Sequence, residues 1–426
     1  MKKKCKDIDI TDWQTVRPWV KDCIMRHKSR YDFKSLLIRH GLTREQYRAA
    51  LKTQKYDIFE NAIDSISKEA CEHIKKRSLD LPPVVMRKMM DTTTGKVRDI
   101  GKESAMQQVY DHIAVGSCEE IFRCRMVDQQ MSSIKKRGQI KGMQTIRSYI
   151  QRDNKAIRYA EKHDLRYTSK CKYHVKLDIR LCYPSADINI FMNLFEHDCG
   201  NETIIWLWWT LLSSHHVNGY DGFMIGALPS QWAVQIMLSC IYRHAMNLKY
   251  KRRGKAYKKI THMIMFMDDM LLFGSNRKQL LSAVRDICKY TKSELGFEIK
   301  STYQIHELEN APVDMMGFVI YRNGKTEMRG RNFIKSRRVV LRYYAKGRLV
   351  YPQAQRLNSY KGFYKHSDSR KISQELKLDN VFKYCSKIIS EHEKEARDGK
   401  SVFRGRTWSG VIYAADGRNS GSMAQA

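Results

Sequence analysis

Residues 262–274 read "HMIMFMDDMLLFG" and place two adjacent carboxylates, Asp268 and Asp269, in a run that is otherwise almost wholly apolar. A stretch this apolar and this short belongs in a buried strand pair, and the acids mark its turn. Successive side chains on a strand point to opposite faces, so only one of the two acids can aim squarely at a shared site. The other must assist from the flank. A buried carboxylate without compensation is prohibitively costly, so a cation must stand near. The neighbours Phe266, Met267, Met270, Leu271 and Leu272 supply none. Two accounts stay open: a polar hairpin turn, or ligands for a hard divalent ion such as magnesium, which takes one or two carboxylates together with phosphate oxygens. Asp178, closing the strand-like "YHVKLD", is the best-placed further carboxylate.

The charge balance narrows the partner. Lys and Arg number 78 against 45 Asp and Glu, a formal net charge of +33 spread along 426 residues. Such an excess repels itself unless a polyanion neutralises it, and nucleic acid is the first partner to expect. The basic residues run from Lys2 to Arg418 instead of lying on one amphipathic helix, which speaks against a membrane-surface binder. No window is apolar enough to span a bilayer, and the basic N-terminus lacks the apolar stretch of a signal peptide. The eleven cysteines are scattered with no CxxC pair, an arrangement of a reducing cytoplasm with neither a disulfide framework nor a zinc ribbon.

A length of 426 residues predicts two or three packed subdomains. Apolar spacing favours helix from about Asp32 to Arg77, and "LPP" at 81–83 stops it. "VVMRKMMDTTTGKVRDIG" reads as two strands around a glycine-containing turn, carrying Lys96 and Arg98. The middle third alternates strands with buried helices, "ADINIFMNLFEHD", "ETIIWLWWTLLSS" and the long "SQWAVQIMLSCIYRHAMNLKY" among them. That order predicts an α+β fold in which helices back an antiparallel sheet. "MMGFVIYRNGKTEMRG" adds a hairpin with "RNGK" as its turn.

Taken together, these segments resemble bacterial reverse transcriptases, the lineage of group II intron, retron and diversity-generating retroelement enzymes. The likeness runs from about Gly95 to about Arg370. "VKLDIRLCYPSAD" is similar to the first palm motif, an Asp followed five positions later by an aromatic residue and then Pro-Ser. "FMDD" resembles the YxDD motif with Phe266 in place of tyrosine, and "LGFEIK" and "VDMMGFVIY" follow in the family's order.

The resemblance implies a right-hand polymerase. Residues 1–94 would extend the fingers, 95–177 form the fingers, 178–328 the palm with its antiparallel sheet, 329–395 a helical thumb and 396–426 a flexible tail. It implies RNA-templated DNA synthesis with two magnesium ions, manganese being the alternative. Asp178 and Asp268 would hold them with the carbonyl of Ile179, and Asp269 would be the supporting carboxylate. Tyr183 would exclude a ribose 2′-hydroxyl; a core tyrosine is the plain alternative. Arg98 and Lys96 would contact the deoxynucleoside triphosphate, or be solvated hairpin charges. Lys300 would act near the leaving pyrophosphate, or be an exposed strand lysine.

In "SSIKKRGQ", Arg137 and Gly138 would lie along the template. Lys361, Lys365, His366 and Arg370 in "RLNSYKGFYKHSDSRKI" suit a helix tracking a template and primer backbone. At 225–231, "IGALPSQ" departs from the usual Gly-x-Pro-Gln-Gly loop and is similar to the loop of diversity-generating retroelement enzymes, where it accompanies error-prone copying opposite adenine. Ser230 and Gln231 would carry that property. The implied partners are an RNA template, a DNA or RNA primer, a dedicated noncoding or template-repeat RNA and a small basic accessory protein. An antiviral defence enzyme of the same chemistry is the alternative role. A catalytically idle RNA-binding scaffold is the alternative of another class, and the intact aspartates count against it.

Overall fold

The computed structural model describes residues 3–91, 95, 97–216, 221–397 and 411–413. The N-terminal region is helical: α1 (Trp13–His27), α2 (Tyr31–Arg39), α3 (Arg44–Thr53) and α4 (Glu60–Lys75). The helical periodicity after Asp32 is therefore cut into pieces. Gly41 breaks it with a φ of +95°, after which Thr43 caps α3 reciprocally with Gln46, each side chain bonding the other's backbone N–H. Strands β1 (Val85–Asp91) and β2 (Val97–Lys102) form the hairpin expected after "LPP", and α5 (Ala105–Gly116), α6 (Glu119–Arg125) and α7 (Gln139–Lys162) follow.

The centre is mixed. In order come β3 (Tyr173–Asp178), α8 (Ile188–Asp198), α9 (Glu202–Ser213), α10 (Leu228–Asn247), the hairpin of β4 (Lys249–Arg252) and β5 (Lys255–Lys258), β6 (His262–Phe266), β7 (Asp269–Gly274), α11 (Arg277–Leu295) and β8 (Ile305–Glu307). Four of these strands make an antiparallel sheet in the order β6-β7-β3-β8. Next, β9 (Val313–Met315), β10 (Phe318–Ile320) and β11 (Thr326–Met328) form a second, three-stranded sheet. The chain continues through α12 (Gly330–Lys346), α13 (Tyr351–Ser359), α14 (Lys361–His366), α15 (Arg370–Glu375) and α16 (Leu378–Arg397). Most of the expected tail lies outside the described residues, but β12 (Val411–Tyr413) pairs with β1.

Burial explains why the 262–274 run shows no alternation of apolar and polar residues. Met263, Met265, Met270 and Leu272 face a core shared with Val175, Leu177, Phe191, Trp208 and Ile287. Ile264, Leu271 and Phe273 face a second core formed with Met143, Ile146 and Ile150 of α7 and with Val313, Met315 and Phe318. A sheet covered on both faces needs apolar residues at every position. A third core, with Val340, Leu357, Tyr364, Val381 and Phe382, belongs to α12–α16.

The sheets are tied to α7 through Asp153. Its carboxylate, almost wholly buried, accepts hydrogen bonds from Tyr167, Ser169, the Lys170 N–H and Arg322, the last from the β10–β11 turn. Burial alone would raise this carboxyl, but the bonds from Ser169, Arg322, Lys170 and Tyr167 outweigh it and hold the group below its ordinary value. A depressed folded-state pKa adds stability above the ordinary carboxyl range that is lost as pH falls through the folded value. Among the described residues, no helix is long and apolar enough to cross a membrane, and all eleven cysteines are free. Asp153→Ala should cost about 3 kcal/mol by stranding Arg322; chemical denaturation will read it, and the deficit should shrink in acid.

Candidate active site

A two-residue link, Met267 and Asp268, joins β6 to β7, whose pairing closes at Phe266 and Asp269. Met267 has a φ of +53°, in the left-handed region where a hairpin of this kind ordinarily carries glycine. Its sulfur is held from several sides. The Gln235 amide donates to it at 3.1 Å, and the Ser133 and Tyr183 hydroxyls approach to 3.8 and 4.0 Å. Gln235 is in turn fixed by Gln130, whose amide donates to the Gln235 carbonyl and side-chain oxygens at 2.8 and 2.7 Å. Backbone bonds of Met265 to Gln129 and Met131 clamp the outer side of β6.

The carboxylates meet across this turn. Asp178, the last residue of β3, stands directly opposite Asp269, and the Ile179 N–H donates to the Asp268 carbonyl. Lys300 reaches Asp178 at 2.5 Å, while Lys176, two residues before Asp178 and on its face of the strand, reaches Asp269 at 3.1 Å. Among the described residues, no such lysine meets Asp268. Burial raises its carboxyl above the ordinary value, and Asp269 and Asp178 push it further, against a weaker pull from Arg98. This is an anionic cluster short of positive charge, made of hard oxygen donors that suit magnesium. Asp178 adds a buried oxygen that has its ion pair with Lys300 and no hydrogen bond. The three carboxylates do not bring one oxygen each within 4.8 Å of one another, so they are not a single closed cage.

Tyr183 is half-buried beside Met267, and burial raises its phenol, with Cys182 and Asp268 adding to the effect. Ile179 is buried between strand pairings. Arg98 is exposed on β2, near enough for its charge to act on Asp268 and Tyr183. Lys96 lies outside the described residues. The β1–β2 hairpin rests on the 225–231 loop: the Gly101 N–H donates to the Ile225 carbonyl, and a side chain at Gly101 would collide with Met224.

Residues 228–231 of that segment are not loop but the first turn of α10, and there the two expected residues part company. Gln231 is half-exposed, and its amide donates to the Ser133 hydroxyl. Ser230 is fully buried, its hydroxyl 3.3 Å from His215 Nδ1, while His215 Nε2 lies 3.0 Å from Glu103 at the base of β2. The Ser230 hydroxyl is thus closed off from any nucleotide, because a buried imidazole needs it as a partner. Buried Asp111 lies beside Glu103; burial first and Glu103 second drive its carboxyl well up.

The remaining expected residues lie apart. Arg137 braces its own loop through the Val127 and Gln130 carbonyls and Asp128, and Gly138 opens α7 with free space beside its Cα. Lys361, Lys365 and Arg370 are exposed and His366 is half-exposed. They do not share one helix: α14 ends at His366, and Asp368 turns away to exchange backbone and side-chain bonds with Thr326. Sequence reading missed Lys176, Gln235 and the Glu103–His215 pair. The first two had signals, a two-residue strand step from Asp178 and one helical turn from Gln231. Glu103 and His215, 112 residues apart, had none.

No family model and no curated protein matches the chain. Many solved structures resemble it distantly, two telomerases among them. One is apo telomerase from Candida tropicalis truncated from its C-terminal domain, with 13% identity, a TM-score of 0.39 and coverage of 77% of this chain and 84% of that one. The other is apo telomerase from Candida tropicalis, with 10% identity, a TM-score of 0.40 and coverage of 93% and 82%. Likeness at that level carries no argument about this chain.

A carboxyl raised by folding penalises the folded state above its ordinary range and not below it. Asp268→Asn should therefore raise the unfolding midpoint at neutral pH in metal-free buffer, with the gain vanishing in acid. A lower midpoint at neutral pH would refute the charge imbalance.

Proposed function

We propose that the chain is an RNA-directed DNA polymerase of right-hand architecture. The observation that carries this reading is the placement of Asp178 opposite Asp269, one residue from Asp268, at the shared end of β3 and the β6–β7 hairpin. The order of the surrounding motifs and the net charge of +33 support it. Residues 95–177 act as fingers, 178–328 as palm and 329–395 as thumb; the palm sheet begins slightly earlier, at Tyr173, where β3 starts.

Asp178 and Asp268 would hold two magnesium ions with the Ile179 carbonyl, and Asp269 would support them. When bound, such ions activate a primer 3′-hydroxyl and stabilise charge on the transferred phosphoryl group and leaving pyrophosphate. The lysines then have defined work. Lys176 neutralises Asp269, and Lys300, paired with Asp178, would serve the leaving pyrophosphate. Arg98 and Lys96 bind the triphosphate, and Tyr183 guards the sugar 2′ position. Arg137 holds the loop that carries Ser133, with Gly138 beside the template. Lys361, Lys365, His366 and Arg370 meet the nucleic-acid backbone.

The "IGALPSQ" loop favours error-prone copying of a template-repeat RNA, as in a diversity-generating retroelement. Gln231, half-exposed in the first turn of α10, is the side chain that bears on templating. Ser230 supports it from beneath through His215 and Glu103.

Alanine at Asp268 and Asp269 together should abolish deoxynucleotide incorporation on a primed RNA while leaving RNA binding intact; undiminished incorporation would overturn the assignment. Gln231→Ala should alter the substitution spectrum opposite template adenine in sequenced product. Ser230→Ala should instead cost about 1 kcal/mol of stability with a spectrum near that of the unaltered protein. Faithful or untemplated product from the unaltered protein would move the role to antiviral defence.

A further inference from the structure

Three potential metal ligands meet far from the aspartates, where α1 packs on α5. Cys23 and His27 stand one turn apart on α1, and His112 projects from α5. One donor atom from each lies within 4.8 Å of the others, the only such trio of His, Cys, Asp or Glu among the described residues. Cys23 Sγ is 3.9 Å from His27 Nδ1. The two imidazoles meet nearly edge to face, with centroids 6.0 Å apart. Zinc–sulfur and zinc–nitrogen bonds of about 2.3 and 2.05 Å at a tetrahedral angle give a sulfur–nitrogen edge of about 3.6 Å. The observed spacing needs only a small side-chain adjustment to match it.

We propose that Cys23, His27 and His112 form a zinc site that staples α1 to α5. One sulfur and two imidazole donors are the borderline-soft set that zinc prefers over magnesium or calcium. Cys23 is fully buried and both histidines are partly buried, and three protein donors leave a fourth position to fill. Asp22, with a carboxylate oxygen 3.6 Å from His112 Nδ1, stands beside that position.

The electrostatics are permissive. The two nearby cations are already paired, Arg26 with Asp22 and Arg30 with Asp32. Burial lowers His27, and burial pushes His112 down to about 4. Burial also raises the Cys23 thiol. Zinc binding must therefore expel its proton to solvent as the thiolate–zinc bond forms. Without metal, the thiol has only the Gln108 carbonyl at 3.4 Å and the His27 ring as partners.

The full chain, purified without chelator, should retain one zinc per molecule by elemental analysis. Cobalt(II) added to the metal-free protein should produce a thiolate-to-cobalt charge-transfer band. Cys23→Ser and His112→Asn should each abolish the band and the retained zinc, and a chelator should lower the unfolding midpoint of the unaltered protein but of neither variant. Should a variant fail to fold, the cobalt spectrum of the unaltered protein decides. Absence of that band, or zinc held equally by Cys23→Ser, overturns the proposal. Nucleotide incorporation is a separate readout that depends on Asp178 and Asp268, so its failure would leave this site untouched.

Discussion

The two-sided burial of the β6–β7 hairpin is the constraint on which the rest of the structure depends. Its residues fill two cores at once, one against α8–α11 and one against α7 and the second sheet. Burying several methionines, leucines and a phenylalanine contributes roughly 1.5–3 kcal/mol per side chain. That is ample to hold a strained Met267 and a poorly compensated Asp268 at the tip. Loosening either core would let the turn relax, and the carboxylates would separate.

Electrostatics at the tip are deliberately incomplete. Lys176 and Lys300 each meet one carboxylate, leaving Asp268, among the described residues, with two acidic neighbours and the more distant Arg98. A purely structural cluster would be expected to pair every buried charge, since unpaired ones cost stability without return. The imbalance is what the proposed cation site would draw on.

A second polar system lies beneath. Glu103, His215 and Ser230, with buried Asp111 alongside, join the base of the β1–β2 hairpin to the first turn of α10. The Gly101 to Ile225 backbone bond does the same at the surface. Arg98 and Gln231 therefore sit on elements that cannot shift independently, because separating them would strand buried charge.

Much of this was legible in the residues. The strand–helix order of the centre, the β1–β2 and β10–β11 hairpins and the turn at Asp268 all follow from periodicity and turn chemistry, which are local. Asp178 was nominated by its strand end alone. What stayed hidden was the pairing of residues distant along the chain. Nothing in "YHVKLD" says that Lys176 meets Asp269, nothing near Ser230 says that its hydroxyl faces a histidine, and nothing links Cys23 to His112. Similarly, the basic segment 356–372 looked like one helix until Asp368 found Thr326. The sequence by itself determined which segments are buried and where charge interrupts them, because burial and backbone preference act residue by residue. Only the tertiary structure decided which charges meet, because that depends on how strands and helices from opposite ends of the chain come into register.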